Sequence, residues 1–492
     1  MVAYLHGAEV TEVDDGTRSI STVNMSIIGM VLEAEDSASA TAASVTVGST
    51  TLKDDLTFTA VAVGNDGNAI NITIKETTDV SQNVAISVKG DAITITLGTD
   101  DSGATNSNAY TVAAAVMADA EAAALVVCTT TADDTTTEVV DVCTEEFLTD
   151  GADEPFPLYT PTLVLGNERY AEDLGIDADA YKYISQTMEQ YGAVMVVVRA
   201  ESSDDADEQK SNIIKAIETL ESSKSATAYK PRILIAPGFS DDDAVGAKLE
   251  STATKLRAMA LVDMDMTATY IEAIQRRKKY GERVELLWSW HKIWDTDLNK
   301  YVHMPPSASV AGLRCRIDNE HGVHFSHSNH EIYNIVGTYN EITYELESRS
   351  SLANVMSENH VSCTINESGY LHWGNRSCTT DSKWKFVPVR RVIDMVNDSV
   401  LSSMQWAVDR PMSTQYLQDV VGSVNNYLRK LKKEGVIPGG KAWLDKDLNS
   451  ADLMAEGICY IDFDVGVYYP AEHLIFRSRI NNGYLEEVLA NV

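Results

Sequence analysis

ADAYKYISQTMEQYGAVMVVVR, residues 178–199, is the stretch on which the fold turns. Residues 178–191 read as a helix and Gly192 as its stop, because glycine enters the left-handed conformation without a Cβ penalty. Residues 193–199 then read as a buried strand, since Ala193 to Val198 are apolar without interruption. The alternation continues downstream. A helix over 206–222 precedes a strand over 232–236, a helix over 242–260 precedes a strand over 261–264, and a helix over 269–280 precedes a strand over 283–290. Strands separated by helices of that length predict an α/β sandwich.

Past Trp384 the pattern changes to two long helices, 392–408 and 413–434, the second opened by Ser413 as N-cap and closed by Gly435. Strands are expected over 458–465 and 473–478, and the chain finishes on a short apolar tail carrying Leu485, Val488, Leu489 and Val492. Upstream, residues 4–15 alternate through Ala8, Glu9, Val10 and Glu12 as an extended strand, with a second strand over 26–32. Between about Asp36 and Glu154 the composition turns to Ala, Thr, Ser, Val, Asp and Gly, and the only basic residues are Lys53, Lys75 and Lys89. β-Branched runs over 44–47, 56–62, 69–75, 83–88 and 92–97 are punctuated by turn glycines and followed by a helix over 111–125. So abrupt a break marks a separate β-rich module.

A chain of 492 residues is too long for one hydrophobic core, and 44% hydrophobic with 23% charged residues is the balance of a packed globular protein. The net charge of −34 repels a phosphate backbone, so nucleic acid is not an expected partner. It equally opposes self-association, so any assembly must rest on backbone pairing or apolar burial that outweighs the repulsion. The N-terminus, with His6, Glu9 and Glu12, lacks the basic-then-apolar order of a signal peptide. The apolar runs are of strand length, so no membrane insertion is expected. Cys128, Cys143, Cys315, Cys363, Cys378 and Cys459 form no CxxC pair and read as free thiols.

Two stretches imitate chemistry. Gly435, Gly440 and Lys441 fit the GxxxxGK spacing of a phosphate-binding loop, but Ala442 lacks the hydroxyl that would hold magnesium and the stretch follows a helix instead of a strand. His321, His324, His327 and His330 recur every third residue, yet on an extended chain that spacing throws successive imidazoles to opposite faces, and a polar loop with exposed histidines is expected. Acidic clusters such as 241–243 do not reproduce a calcium loop, and no nucleophile elbow or zinc-protease motif occurs. The expectation is therefore no enzyme, no catalytic residue, no cofactor and no metal.

Several short motifs, in their order, carry a resemblance. They are Tyr4-Leu-His-Gly-Ala-Glu-Val10 with Ile27-Ile-Gly-Met30, Lys230-Pro-Arg-Ile-Leu-Ile-Ala-Pro-Gly238, Pro305-Pro-Ser-Ala-Ser-Val-Ala-Gly312, Trp373-Gly374, Val387-Pro-Val-Arg-Arg391, Gly435-Val-Ile-Pro-Gly-Gly440 with Trp443, and Pro470-Ala-Glu-His-Leu-Ile-Phe476. Together they resemble the tail sheath proteins of contractile bacteriophage tails, over residues 1–35 and about 155–492. The histidine run falls in a loop where this chain departs from the usual pattern. The module resembles a β-rich insertion that recurs in virion proteins, with Gly64-Asn-Asp-Gly-Asn-Ala-Ile70 as its signature, and is expected to project as a peripheral decoration.

The fold expected is a multidomain α/β and α+β chain: an N-terminal arm and first core strands (1–35), a β-rich inserted module (36–154), an α/β sheath domain (155–380), a C-terminal α+β core domain (381–479) and a C-terminal arm (480–492). The resemblance implies a virion tail subunit, assembled in the bacterial host cytoplasm. It stacks as hexameric rings of its own kind around a tail tube protein, meets baseplate and tail terminator proteins, and contracts to drive the tube through the host envelope. Ala8, Val10 and Glu12 at one end and Leu485, Val488 and Leu489 at the other are the candidate inter-subunit arm residues. The alternative is a virion decoration or adhesin whose β-rich module binds a cell surface.

Overall fold

IIGMVLE opens the described core as strand β1 (Ile27–Glu33), buried at every residue through Leu32. Only a strand covered on both faces tolerates so continuous an apolar run. The computed structural model describes residues 18–296, 298–445, 447–482 and 484, so all six candidate arm residues lie outside the described residues. The chain divides into two compact units.

The smaller unit comprises Ala34–Thr162 and Ala171–Ala178. Its strands are β2 (Ala42–Val47), β3 (Leu56–Val63), β4 (Asn71–Lys75), β5 (Ala85–Lys89) and β6 (Ala92–Thr96), then helices α1 (Ala109–Ala118) and α2 (Ala120–Leu125), then β7 (Val126–Thr129) and β8 (Cys143–Phe147). A three-stranded sheet, β2-β3-β7, and a four-stranded sheet, β5-β6-β4-β8, share a core of Phe58, Ile72, Ile74, Ile93, Ile95, Val112 and Val116. The single helix expected over 111–125 is broken at Asp119, which leaves the helical region to accept from the amides of Glu121 and Ala122 and so caps a second helix.

The larger unit comprises Met1–Glu33, Leu163–Tyr170 and Asp179–Val492. After β9 (Thr162–Leu165) come α3 (Asp179–Gln190), β10 (Val194–Ala200), α4 (Ala206–Thr219), α5 (Ser223–Thr227), β11 (Ile233–Ile235), α6 (Asp243–Leu256), β12 (Met259–Asp263), α7 (Tyr270–Arg277) and β13 (Val284–Leu287). A hairpin of β14 (His291–Asp295) and β15 (Lys300–Met304) leads into α8 (Pro306–Glu320). Next are β16 (His330–Glu331), β17 (Gly337–Thr338), α9 (Leu352–Glu358), β18 (Val361–Asn366) and β19 (Tyr370–Trp373). The last elements are α10 (Val387–Ser403), α11 (Thr414–Lys433), β20 (Gly440–Leu444), α12 (Ala451–Ala455) and β21 (Ile461–Val465).

Nine strands form the main sheet in the order β16-β19-β18-β13-β12-β11-β1-β10-β9. β1 lies between β10 and β11, parallel to both, with Ile28 opposite Met195 on one side and Ile233 on the other. Helix α6 stops at Leu256, short of the expected 260, because Arg257 enters the left-handed conformation and frees Met259 to start β12. Residues 473–478, expected as a strand, pair with nothing among the described residues.

Helix α8 lies in the stretch 291–384, where the sequence reading assigned no element although β14 to β19, α8 and α9 form there. Every residue from Pro306 to Ile317 is buried, so it has no polar face and no 3.6-residue stripe to announce it. Small side chains let it lie close to α3: a Cβ added to Gly312 would stand 2.3 Å from the Thr187 carbonyl oxygen.

Residues 18–26 run along the C-terminal helices before entering the sheet. The Arg18 amide donates to Ser423 Oγ (3.0 Å), the Val23 amide to Ser399 Oγ (3.0 Å), and Ile20 and Met25 join Val396, Val424 and Leu428 in the core there.

Candidate functional site

Helix α11 ends at Lys433, and Gly435 at φ 77° turns the chain into β20. Gly440 and Lys441, the last residues of the GxxxxGK spacing, therefore begin a strand. A phosphate loop needs a strand before it and a helix N-terminus after it, so the order here is reversed and the amides do not converge on an anion.

β20 pairs antiparallel with β21 in a sheet of two strands, Ala442 opposite Phe463. The Asn425 side chain on α11 forks onto the outer edge of β20, accepting from the Ala442 amide (2.9 Å) and donating to the Ala442 carbonyl (2.9 Å). Ala442 thus faces away from β21, which makes Ala442 and Phe463 a non-hydrogen-bonded pair and turns the peptide groups of Phe463 outward. No strand among the described residues pairs with that outer side of β21. An unfilled strand edge is a template for another strand.

Beyond β21 the chain stays attached for a few residues. The Gly466 amide donates to the Gly439 carbonyl (2.8 Å), and Arg376 Nε donates to Glu472 Oε1 (2.8 Å). After Glu472 the apolar side chains are left uncovered, with Phe476 89% and Ile480 96% exposed.

A buried polar centre sits in the main sheet instead of the expected exposed histidine loop. Glu285 on β13 is fully buried and accepts from Arg314 of α8, from Ser362 Oγ (2.8 Å), and lies against His372 Nε2 (3.1 Å). His327 Nε2 is 3.0 Å from Glu285 Oε1 and 3.1 Å from Arg314 Nη2. The expectation of exposed histidines is wrong for His327, which is 2% exposed. Long-range pairing to a strand 42 residues earlier buries it. Burial would raise the Glu285 pKa, but the charge of Arg314 and the hydrogen bonds from the imidazoles outweigh it and hold the carboxyl well below its usual range. Burial pushes His327 down to about 3. Glu285, His327 and His372 offer donor atoms within 4.8 Å of one another, a spacing a metal could use. Arg314 already supplies the positive charge on that carboxylate, so the group closes on itself as an ion-pair network.

A second set of buried charges fastens α10 to the sheet. Asp394 and Asp398 are four residues apart and share one helix face. Arg283, just ahead of β13, makes two bonds to Asp394 (2.7 and 3.0 Å), and Asp398 takes Arg232, Arg257 and Lys230, the last at 3.1 Å. Arg391 on the same helix donates to Asp318 Oδ1 (2.6 Å) and to the Met25 carbonyl (3.0 Å). Burial raises Asp398 and its three cations lower it further than that, so it stays ionised. The sequence held one signal for this clamp, the Asp394/Asp398 spacing on one helix, with arginines at the start of the 232–236 and 283–290 strands.

A two-stranded sheet with an edge unfilled among the described residues, followed in the chain by an uncovered apolar tail, and a core with buried ion pairs suit a structural subunit. Residues 210–378 match the phage tail sheath protein central domain and 379–481 the phage tail sheath C-terminal domain. A prophage major tail sheath protein of Pseudomonas aeruginosa strain UCBPP-PA14 is 31% identical over 363 residues, covering 72% of this chain and 93% of that one. The tail sheath protein of Escherichia phage P2 is 29% identical over 367 residues, 71% of this chain and 92% of that one. In fold, the contracted helical sheath of the anti-feeding prophage covers 98% of this chain at a TM-score of 0.54 and 13% identity, with 100% of its own chain covered. The contracted sheath of the extracellular injection system PVC matches at 0.54 and 18% identity, over 67% of this chain and 89% of its own. The chain belongs to the phage tail sheath family, and it is a contractile tail sheath subunit.

Proposed function

We propose that this subunit polymerises helically as stacked six-membered rings around an inner tail tube, meets baseplate and terminator proteins at the ends, and contracts to drive the tube through a host envelope. Assembly takes place in the host cytoplasm and the product is part of the virion tail. The observation that carries the reading is the outer side of β21, a strand edge that no strand among the described residues fills, followed in the chain by the exposed segment of Phe476 and Ile480. Terminal arms carrying Ala8, Val10 and Glu12, and Leu485, Val488 and Leu489, add strands to that edge on neighbouring copies, each backbone hydrogen bond contributing roughly 0.5–1.5 kcal/mol net. Linkage through extended arms lets rigid bodies rotate without parting. No catalytic centre and no cofactor take part, because the energy is stored in the assembled lattice.

The test is electron microscopy of the purified protein and of two truncations. Full-length protein should form striated tubes. Protein lacking residues 480–492, or residues 1–17, should stay a folded monomer. The N-terminal cut stops at 17 because Arg18 and Ile20 already pack on α11. Truncated protein that formed tubes at the wild-type concentration would sink the arm mechanism.

A further inference from the structure

The hairpin of β14 and β15, with β17 on its other side, forms a separate three-stranded sheet. Its two faces differ sharply. His291, Asp295 and Met304 are buried on one side, where His291 meets Ser309 and Thr364 and Asp295 pairs with Lys182 at 3.1 Å. The opposite face carries Lys292 and Trp294 from β14 and, directly across from them, His303 and Tyr301 from β15.

Those side chains are pre-assembled. Trp294 and Tyr301 meet edge to face at 4.9 Å, the Lys292 ammonium lies over the Tyr301 ring at 4.6 Å, and His303 meets Tyr339 at 5.2 Å. Gly337 of β17 stands beside Lys292, where a Cβ would come within 3.4 Å of the lysine chain. Yet Trp294 is 44% and Tyr301 54% exposed, so a rigid aromatic group is held in water. Rigid aromatics with a cation are what protein interfaces use as anchors, since they bury much area for little lost side-chain entropy.

Charge selects the occupant. Among the described residues the face carries a lysine and no carboxylate, since Asp295 points inward, on a chain whose net charge is −34. In a polymer of such chains the abundant complementary surface is the acidic exterior of another copy, and close like-charged packing requires local cationic contacts of this kind.

We propose that the Lys292–Trp294–Tyr301–His303 face docks against an acidic surface of a neighbouring copy in the assembled sheath, as a contact between bodies additional to the arms. The inference rests on the sheath reading. Its test is zero-length carbodiimide crosslinking of tubes grown from mixed isotope-labelled and unlabelled full-length protein, read by mass spectrometry. The expected result is a mixed-label amide joining Lys292 to an Asp or Glu of another copy, absent in Lys292→Arg, which keeps the charge and should still form tubes. Trp294→Ala with Tyr301→Ala, checked for a wild-type melting curve, should raise the concentration needed for tubes by roughly tenfold or more. Tubes in which other lysines crosslink between copies and Lys292 does not, or a double variant that assembles at the wild-type concentration, would overturn the contact and leave the sheath reading intact. Failure of the wild-type protein to form any tube would overturn both.

Discussion

The two units hold themselves together by different means. In the larger one, carboxylates and guanidinium groups are buried in pairs: Glu285 with Arg314, Asp394 with Arg283, Asp398 with Arg232 and Asp318 with Arg391. In the smaller one the main core cluster is apolar, and the ion pair of Lys53 with Asp133 lies on the surface at 3.4 Å. The contrast follows from composition, since a segment with three lysines and no arginine has few cations to pair with its carboxylates, and the buried Asp54 and Asp55 accept instead from the Ser49 amide (2.7 Å) and the Thr131 amide (3.1 Å). The body can place helices α8 and α10 by directional charge contacts, whereas the module depends on side-chain volume and strand register. Buried pairs add little net stability, but breaking one strands a charge in a dry interior.

The sharpest way to break the comparison is therefore Glu285→Ala, which leaves Arg314 buried without its carboxylate. It should cost about 3–5 kcal/mol in urea unfolding of the larger unit, and the loss should persist at high salt because the site is shielded from solvent ions. Replacing Glu285 and Arg314 together with apolar residues of similar volume should cost clearly less than the single change. In the module the corresponding blow is to volume. Ile72→Ala should cost roughly 2–5 kcal/mol by opening a cavity among Phe58, Ile74 and Ile93, with the module's own unfolding transition moving and the Glu285 centre unaffected.

Acid sensitivity should also separate the units. Burial raises Asp263 on β12 to about 7, against hydrogen bonds from the Ser307 amide (2.8 Å), Ser307 Oγ (2.6 Å) and Ser240 Oγ (3.0 Å). A carboxyl whose folded pKa exceeds its unfolded value binds its proton more tightly when folded, so its contribution to stability falls as pH rises from about 4 through 7. Asp263→Asn should remove that decline, and melting temperatures of the two proteins at pH 5 and pH 8 decide it. If the wild-type slope were unchanged in the variant, Asp263 would not be its source. The smallest effect is expected at Lys53→Ala, within about 0.5 kcal/mol, because an exposed pair is screened and flexible.

Much of the local structure could be read directly. β1 lies at Ile27–Glu33 against the expected 26–32, α3 stops before Gly192, and α11 begins after Ser413 as its N-cap, whose hydroxyl accepts from the Tyr416 amide at 3.1 Å. Apolar runs, glycine stops and capping side chains act within a turn or two of chain, so residue order alone carries them. The motifs likewise disclosed the family, because their order survives without coordinates. Tertiary structure decided what depends on distant partners. His327 is buried because Glu285 and Arg314 meet it across the core, and α8 exists where its buried Pro306–Ile317 face finds α3. Residues 473–478 stay unpaired because a strand needs an edge, and none among the described residues lies beside them. The Asn425 fork, which occupies one edge of the β20–β21 sheet and leaves the other open, joins residues 17 apart whose pairing no local spacing encodes. Propensity fixes which segments can be strands or helices, but which edges are filled and which charges are buried is set by contacts that form only when the whole chain has folded.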